Sequence, residues 1–338
     1  MTDIAALLQA ALARQTSLSG NVENLQRLSG GATKATWAFD LVAADEGSRP
    51  LILQQTATPE ASGAENAPSR ATPKLTAAQD AEIMKLARSS GVPAPEVLLV
   101  LSAEDGLGEG YVTARVEGET LGKRIVSDDA FAPARRVMAR QCGEILAAIH
   151  AVPLTGVSFL RELSPQDELE IYGGVIDNMG ISSAALEYAR RWVAENVPSR
   201  WSPALTHADF RTGNLIVDAH DGIRCVLDWE IARIGDPMQD LGVLCMRSWR
   251  FGGTQPVGGF GSRDDLYGAY ENAGGRAVDP VQVRFWEAFS NLKWAISCIR
   301  RGLATNPDGT PQSVELAAIG RRIEEPLWDF LNLVDRAA

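Results

Sequence analysis

The chain has 338 residues, 45% of them hydrophobic, enough for two lobes or domains with apolar cores. A formal net charge of −11 argues against a general nucleic-acid or anionic-membrane binder, though a local basic pocket for nucleotide phosphates is still allowed. Four scattered cysteines without a C-x-x-C pair point to a reducing cytoplasm, no apolar run is long enough to span a bilayer, and no basic segment precedes the first apolar residues as a signal peptide would require.

Taken in order, Ile4, Leu7, Leu8 and Leu12 recur at helical spacing and predict a short amphipathic helix packed on a first lobe. Between Leu25 and Phe39, Gly30-Gly31 interrupts β-prone flanks, which predicts a hairpin whose backbone N–H groups could approach phosphate. An ordinary Gly-Gly turn fits the same residues. A strand at Leu51-Ile52-Leu53-Gln54-Gln55 follows, then a loop from Thr56 to Pro73 poor in large apolar side chains. Thr76-Ala77-Ala78-Gln79 is a capping box opening a helix to about Ser89, which Gly91-Val92-Pro93 ends. Strands are expected at 96–102 and 110–116, with Gly118 at a connector between lobes.

Beyond the connector the pattern turns helical. Met138, Cys142, Ile145, Leu146 and Ile149 form one apolar face ending at His150, which reads as a helix-end or core histidine. Phe285, Phe289, Leu292, Ile296 and Ile299 mark a buried helical stripe, and a last amphipathic helix runs from about Val314, bent near Pro326.

The stretch from Leu205 to Glu230 carries the chemistry. Leu215-Ile216-Val217 and the alternating run Ile223 to Leu227, joined by the turn signal Asp221-Gly222, predict a β-hairpin. Asp209 and Asn214 then precede its first strand, and Asp228 ends its second. Phosphoryl transfer needs a carboxylate to accept the proton of the attacking hydroxyl, and oxygen ligands for Mg²⁺. Protein kinases place a catalytic Asp five residues before a Mg-binding Asn, with a second Mg-binding Asp after a hairpin. The same order and spacing occur here at Asp209, Asn214 and Asp228. A metallohydrolase using His207-x-Asp209 would need more ligands than three histidines without a His-x-x-x-His pair provide. A kinase-like fold that has lost its chemistry is the other rival.

The sequence resembles the aminoglycoside phosphotransferase (APH) and choline-kinase-like group, in the branch related to the domain fused to some acyl-CoA dehydrogenases. The most specific likeness is in His207-Ala208-Asp209-Phe210-Arg211-Thr212-Gly213-Asn214, Val226-Leu227-Asp228-Trp229-Glu230-Ile231-Ala232 and Gly235-Asp236-Pro237-Met238-Gln239-Asp240-Leu241. The resemblance implies an α+β, protein-kinase-like two-lobed fold. Residues 1–116 would form an ATP-binding lobe with a small β-sheet, and 117–338 a larger helical lobe with the catalytic loop and acceptor site. It implies ATP and Mg²⁺ as cofactors and a small hydroxylated acceptor. Asp209 would be the catalytic base, and Asn214 and Asp228 the metal ligands. Gly30, Gly31 and Thr33 would cover the phosphates, and backbone groups of Ala114 and Val116 would meet adenine. Asp240 would brace the catalytic loop, while Arg211, Trp229 and Glu230 would face the acceptor.

Three departures stand out. Gln54 occupies the position where the family carries a Lys or Arg for the α- and β-phosphates, with Asp80 or Glu82 as the residue in place of its usual Glu partner. Ala208 replaces the common Gly before the catalytic Asp. An amide can hydrogen-bond phosphate, but charge-assisted bonds are about twice as strong, so weaker ATP binding or slower turnover is expected unless Lys34 reaches in as a substitute. The alternatives are a nucleotide-binding pseudokinase and, less well supported without an A-P-E segment, a protein kinase. ATP versus GTP and the identity of the acceptor (aminoglycoside-like, choline-like or hydroxyacyl thioester) are open at this point.

Overall fold

The structure, a computed structural model, describes residues 4–28, 34–43, 47–56, 74–181, 183–306 and 308–335. Gly30, Gly31 and Thr33 of the glycine pair's turn, and 57–73 of the loop, lie outside the described residues.

Five strands, β1 (Asn21–Arg27), β2 (Lys34–Ala43), β3 (Gly47–Thr56), β4 (Val97–Val100) and β5 (Gly110–Ala114), form an antiparallel sheet in the order β1-β2-β3-β5-β4. Alternation drives it: Phe39, Leu41, Leu51, Leu53 and Val112 are buried on one face, where helix α1 (Ile4–Gln15) lays Leu8 and Leu12 against them. The end of α1 is pinned by Arg14 and by Gln15, whose Nε2 donates to Asp105 Oδ2 at 2.7 Å. Helix α2 (Ala77–Ser89) begins at the predicted capping box, with Thr76 and Gln79 satisfying each other's backbone N–H. Its Ala81, Met84 and Ala87 face the other way, into a second and larger apolar cluster.

The helical part consists of α3 (Gly122–Ser127), α4 (Ala132–His150), α5 (Pro165–Asn178), α6 (Ala184–Asn196), α7 (Met238–Cys245), α8 (Arg263–Asn272), α9 (Pro280–Gly302), α10 (Val314–Gly320) and α11 (Glu324–Asp335), and each of these except α10 adds residues to that cluster. The five predicted stripe residues of α9 are all buried, and every residue of α7 is buried. Two short ribbons complete the fold: β6 (Ala204–Thr206) pairs with β9 (Arg233–Gly235), and β7 (Leu215–Asp218) with β8 (Gly222–Val226). The connector after β5 is stitched to the β7–β8 hairpin by reciprocal bonds between the backbones of Glu119 and Val217, both 2.9 Å. This fixes the sheet's exit next to the hairpin that carries the acidic residues. Among the described residues no helix is long and apolar enough to cross a membrane.

The C-terminal pattern divides differently from the single bent helix that its periodicity predicts. It is two helices, α10 and α11, separated at 321–323. Gly320 touches Gly302 of α9, where an added Cβ would lie 2.3 Å from the Gly302 Cα, and the chain turns there. Pro326 sits in the first turn of α11, where a missing N–H costs no helical bond.

Candidate active site

The catalytic-loop candidate leaves β6 through a backbone that the side chain of Asp240 holds from beneath. Asp240, fully buried on α7, accepts hydrogen bonds from the N–H groups of His207 (2.9 Å) and Ala208 (2.7 Å) and from His150 Nε2 (3.0 Å). Burial works to raise its carboxyl, but the His150 bond, the nearby imidazoles and the backbone donors hold it below the ordinary 3.8. Ala208 takes a left-handed conformation (φ 67°), which glycine adopts at less cost. His150, read from sequence as a core histidine, thus ends α4 on Asp240, with Tyr270 bonded to its other nitrogen at 2.9 Å.

His207 is a structural pivot that the sequence left without a role. Its Nε2 faces the carbonyl of Leu227 at 3.0 Å; a carbonyl only accepts, so this nitrogen carries the proton and Nδ1 takes the Asp209 N–H (3.3 Å). Burial lowers its pKa, which favours this neutral form. One ring therefore ties the start of the loop to the end of β8.

Asp209 presents its carboxylate under control from two sides. Arg211 Nε donates to both oxygens (3.0 and 3.1 Å), while Asn214 Nδ2 donates to Oδ2 (2.8 Å) and to the Asp209 backbone carbonyl (2.9 Å). The guanidinium of Arg211 in turn lies 4.5 Å from the centre of the Trp249 ring. Gly213 makes room for this arrangement, since a Cβ there would sit 2.5 Å from Arg211 Nη1. With its amide nitrogen committed to Asp209, Asn214 has its carbonyl oxygen left as an acceptor.

Asp228 also adopts a left-handed backbone (φ 67°) at the exit of β8. The residue is exposed, yet the surrounding protein dehydrates its carboxyl, and with the like charges of Glu230 and Asp209 this pushes it up to about 7, against the opposing pull of Lys34 and Arg211. Crowded carboxyls of this kind are what a divalent cation stabilises, and Asn214 and Asp228 offer the hard oxygen donors that Mg²⁺ takes. The same left-handed turn corrects the expectation for Trp229. Rather than facing an acceptor, it is fully buried, with Nε1 donating to the Val226 carbonyl (3.1 Å) and its ring 4.7 Å from that of His207. Glu230 is paired with Lys74 and lies 3.7 Å from Lys34 of the sheet.

On the sheet, Lys34 Nζ lies 2.6 Å from Asp80 Oδ2, which decides between Asp80 and Glu82 as the acidic partner. Gln54 does not meet Asp80 directly. Its side-chain oxygen lies against the Tyr111 hydroxyl, whose single proton is shared between that oxygen and Asp80 Oδ2 at 2.8 Å, while the hydroxyl oxygen accepts from Lys34 Nζ at 3.4 Å. Tyr111 had no expected role; the cross-strand register that sets it opposite Gln54 is what reveals it. At the end of β5 the Ala114 N–H already donates to the Glu96 carbonyl (2.9 Å), and Val116 lies beyond the sheet in the connector.

The phosphotransferase enzyme family (APH) matches residues 24–286. Acyl-CoA dehydrogenase family member 10 of Mus musculus is 27% identical over 172 residues, covering 48% of this chain and 16% of that protein. Member 11 of Gallus gallus is 29% identical over 172 residues, covering 47% and 21%. The chain thus matches only a minor part of these relatives' length. Among solved structures, that of a candidate aminoglycoside phosphotransferase from Ralstonia eutropha superposes with a TM-score of 0.74 at 19% identity, covering 98% of both chains. The GDP complex of aminoglycoside 2'-phosphotransferase-IIIa gives 0.63 at 13% identity, covering 96% of this chain and 99% of that one. A choline/ethanolamine kinase family protein from Mesorhizobium loti gives 0.60 at 20%, covering 98% and 99%. These likenesses establish the protein-kinase-like α+β fold, and the match over 24–286, which takes in the sheet, the catalytic loop and the hairpin, shows that the chain belongs to the phosphotransferase enzyme (APH) family.

Proposed function

We propose that this chain is an ATP- and Mg²⁺-dependent phosphotransferase that moves the γ-phosphoryl group to a hydroxyl of a small molecule. The observation that carries the reading is Asp209, its two carboxylate oxygens oriented by Arg211 and Asn214 and its charge felt by Asp228. In this scheme residues 1–116 hold the nucleotide and 117–338 hold the acceptor. Asp209 accepts the proton of the attacking hydroxyl as its oxygen bonds the γ-phosphorus and the bond to the β-phosphate oxygen breaks, leaving ADP. Arg211 keeps that carboxylate aimed. Asn214 and Asp228 are the side chains that would hold Mg²⁺, which when bound supplies charge neutralisation at the phosphate oxygens.

The names of the structural neighbours include macrolide, aminoglycoside and choline or ethanolamine phosphotransferases, and this supports a small hydroxylated acceptor. The acyl-CoA dehydrogenase relatives add a hydroxyacyl thioester as a class to screen. Four buried cysteines without a disulfide fit a reducing cytoplasm. Gln54 favours one second reading, a nucleotide-binding pseudokinase acting through a partner. Calorimetric titration of MgATP followed by an acceptor screen tests both. Saturable Mg²⁺-dependent binding and a turnover that falls about 10²–10⁴-fold in Asp209→Asn, with binding retained, are the results expected of an enzyme. Binding with no turnover in the wild type would leave the pseudokinase.

A further inference from the structure

Residues 34, 36, 54 and 56 share one face of the sheet, because Lys34 pairs with Thr56 and Thr36 with Gln54 across β2 and β3. Tyr111 stands directly opposite Gln54 on β5. Three side chains from three strands therefore converge on one point, the Tyr111 hydroxyl, and Asp80 closes the group from α2. The strand that would normally send a cation to this point sends a neutral amide, and the ammonium arrives from β2 instead. Lys34 is mostly enclosed, with its side chain 16% exposed, and Asp80 is 1% exposed. An ammonium has three donors, of which Asp80 engages one.

We propose that Lys34 is the cation that binds the α- and β-phosphates of the nucleotide in this chain, relocated from Gln54 of β3 to the start of β2 and positioned by Asp80 and Tyr111. The inference rests on the proposed nucleotide-dependent function. It also accounts for Gln54: the amide lies against the same Tyr111 hydroxyl that Asp80 and Lys34 meet. Burial alone would lower the pKa of Lys34, but Asp80 and the further carboxylates Glu230 and Asp228 raise it instead, so the charge is present throughout the neutral range.

The relocation makes a rescue possible. Since Gln54 and Lys34 meet on the same hydroxyl, a lysine at either position brings its ammonium to the same carboxylate. Calorimetry on the full chain would compare MgATP, MgADP and adenosine for the wild type, Lys34→Ala, Lys34→Met and the double variant Lys34→Ala/Gln54→Lys. Apo thermal melts would confirm that each is folded. Lys34→Ala and Lys34→Met are expected to weaken MgATP and MgADP at least about tenfold, the scale of a lost charge-assisted bond, with adenosine affinity unchanged. The double variant is expected to recover most of the loss. Nucleotide affinity unchanged in both single variants, an equal loss for adenosine, or a double variant no better than Lys34→Ala would each overturn the proposal while leaving the nucleotide-dependent reading intact. A wild type that binds no nucleotide at all would instead remove that reading, and the relocated cation with it.

Discussion

Replacing Asp240 with alanine removes the acceptor for three buried donors at once: the N–H groups of His207 and Ala208 and the His150 Nε2–H. Each buried donor left without a partner costs about 1–3 kcal/mol. Allowing for partial relaxation, the loss is about 3–6 kcal/mol, a large part of the 5–15 kcal/mol typical of a folded domain. Asp240→Asn keeps the shape and one oxygen. Placed at the Oδ2 position, that oxygen retains the His207 and His150 bonds and sets an amide N–H₂ against Ala208, so about 1.5–3 kcal/mol should be lost. Denaturant unfolding with an unchanged slope is the assay. The pH dependence follows from the sign of the shift. The folded carboxyl titrates below its ordinary 3.8, so its contribution is complete above that value and is lost as pH falls through the folded one. The gap between wild type and Asp240→Ala should therefore be constant from pH 6 to 8 and narrow below about pH 4. An Asp240→Ala protein within about 1 kcal/mol of wild type would refute the brace, because three unsatisfied buried donors cannot cost so little.

Two further substitutions probe the same region by backbone geometry. Ala208→Gly removes a side chain from a left-handed residue, and the relief of about 1–2 kcal/mol exceeds the entropy that glycine adds to the unfolded chain, so a gain of about 0.5–1 kcal/mol is expected in the same unfolding assay. Gly143→Ala acts in the opposite direction. A Cβ at this position of α4 would lie 2.5 Å from the Leu266 carbonyl oxygen and 2.7 Å from the Tyr270 nitrogen, both backbone atoms of α8. Overpacking of about 1–3 kcal/mol should outweigh the gain of about 1 kcal/mol in helix propensity. Because Tyr270 also bonds His150, the displacement should lower turnover as well as stability. A stabilised Gly143→Ala would mean that the two helices have slack between them.

The sequence is most legible where structure is local. The hairpin of β7 and β8, the capping box at Thr76 and the apolar stripe of α9 each depend on neighbours within a few residues, and each stands where the pattern puts it. Helices α5 and α6 are harder to read because few of their residues are buried; the Ser164-Pro165 start, an N-cap followed by proline at the first helical position, was the available signal. Trp229 was misread because its direction depends on a single φ sign at Asp228, which no periodicity records. Tyr111 was invisible for another reason. A tyrosine in an apolar strand looks like core until the register of β3 and β5 sets its hydroxyl between Gln54 and Asp80.

Lys34 begins β2, whose Phe39 and Leu41 belong to the smaller apolar cluster with α1 and the sheet. Asp80 lies on α2, whose Ala81 and Met84 belong to the larger cluster together with the hairpin residues Leu215, Val217 and Val226. The pair thus links the two clusters beside Tyr111, a sheet residue that itself packs in the larger one. Asp228 is joined to the larger cluster through the buried Trp229 beside it, and His207 is tied to the Leu227 carbonyl. The groups that would hold metal and accept the proton are therefore anchored in the larger cluster, whereas Lys34 reaches them from a strand that packs its apolar face in the smaller one.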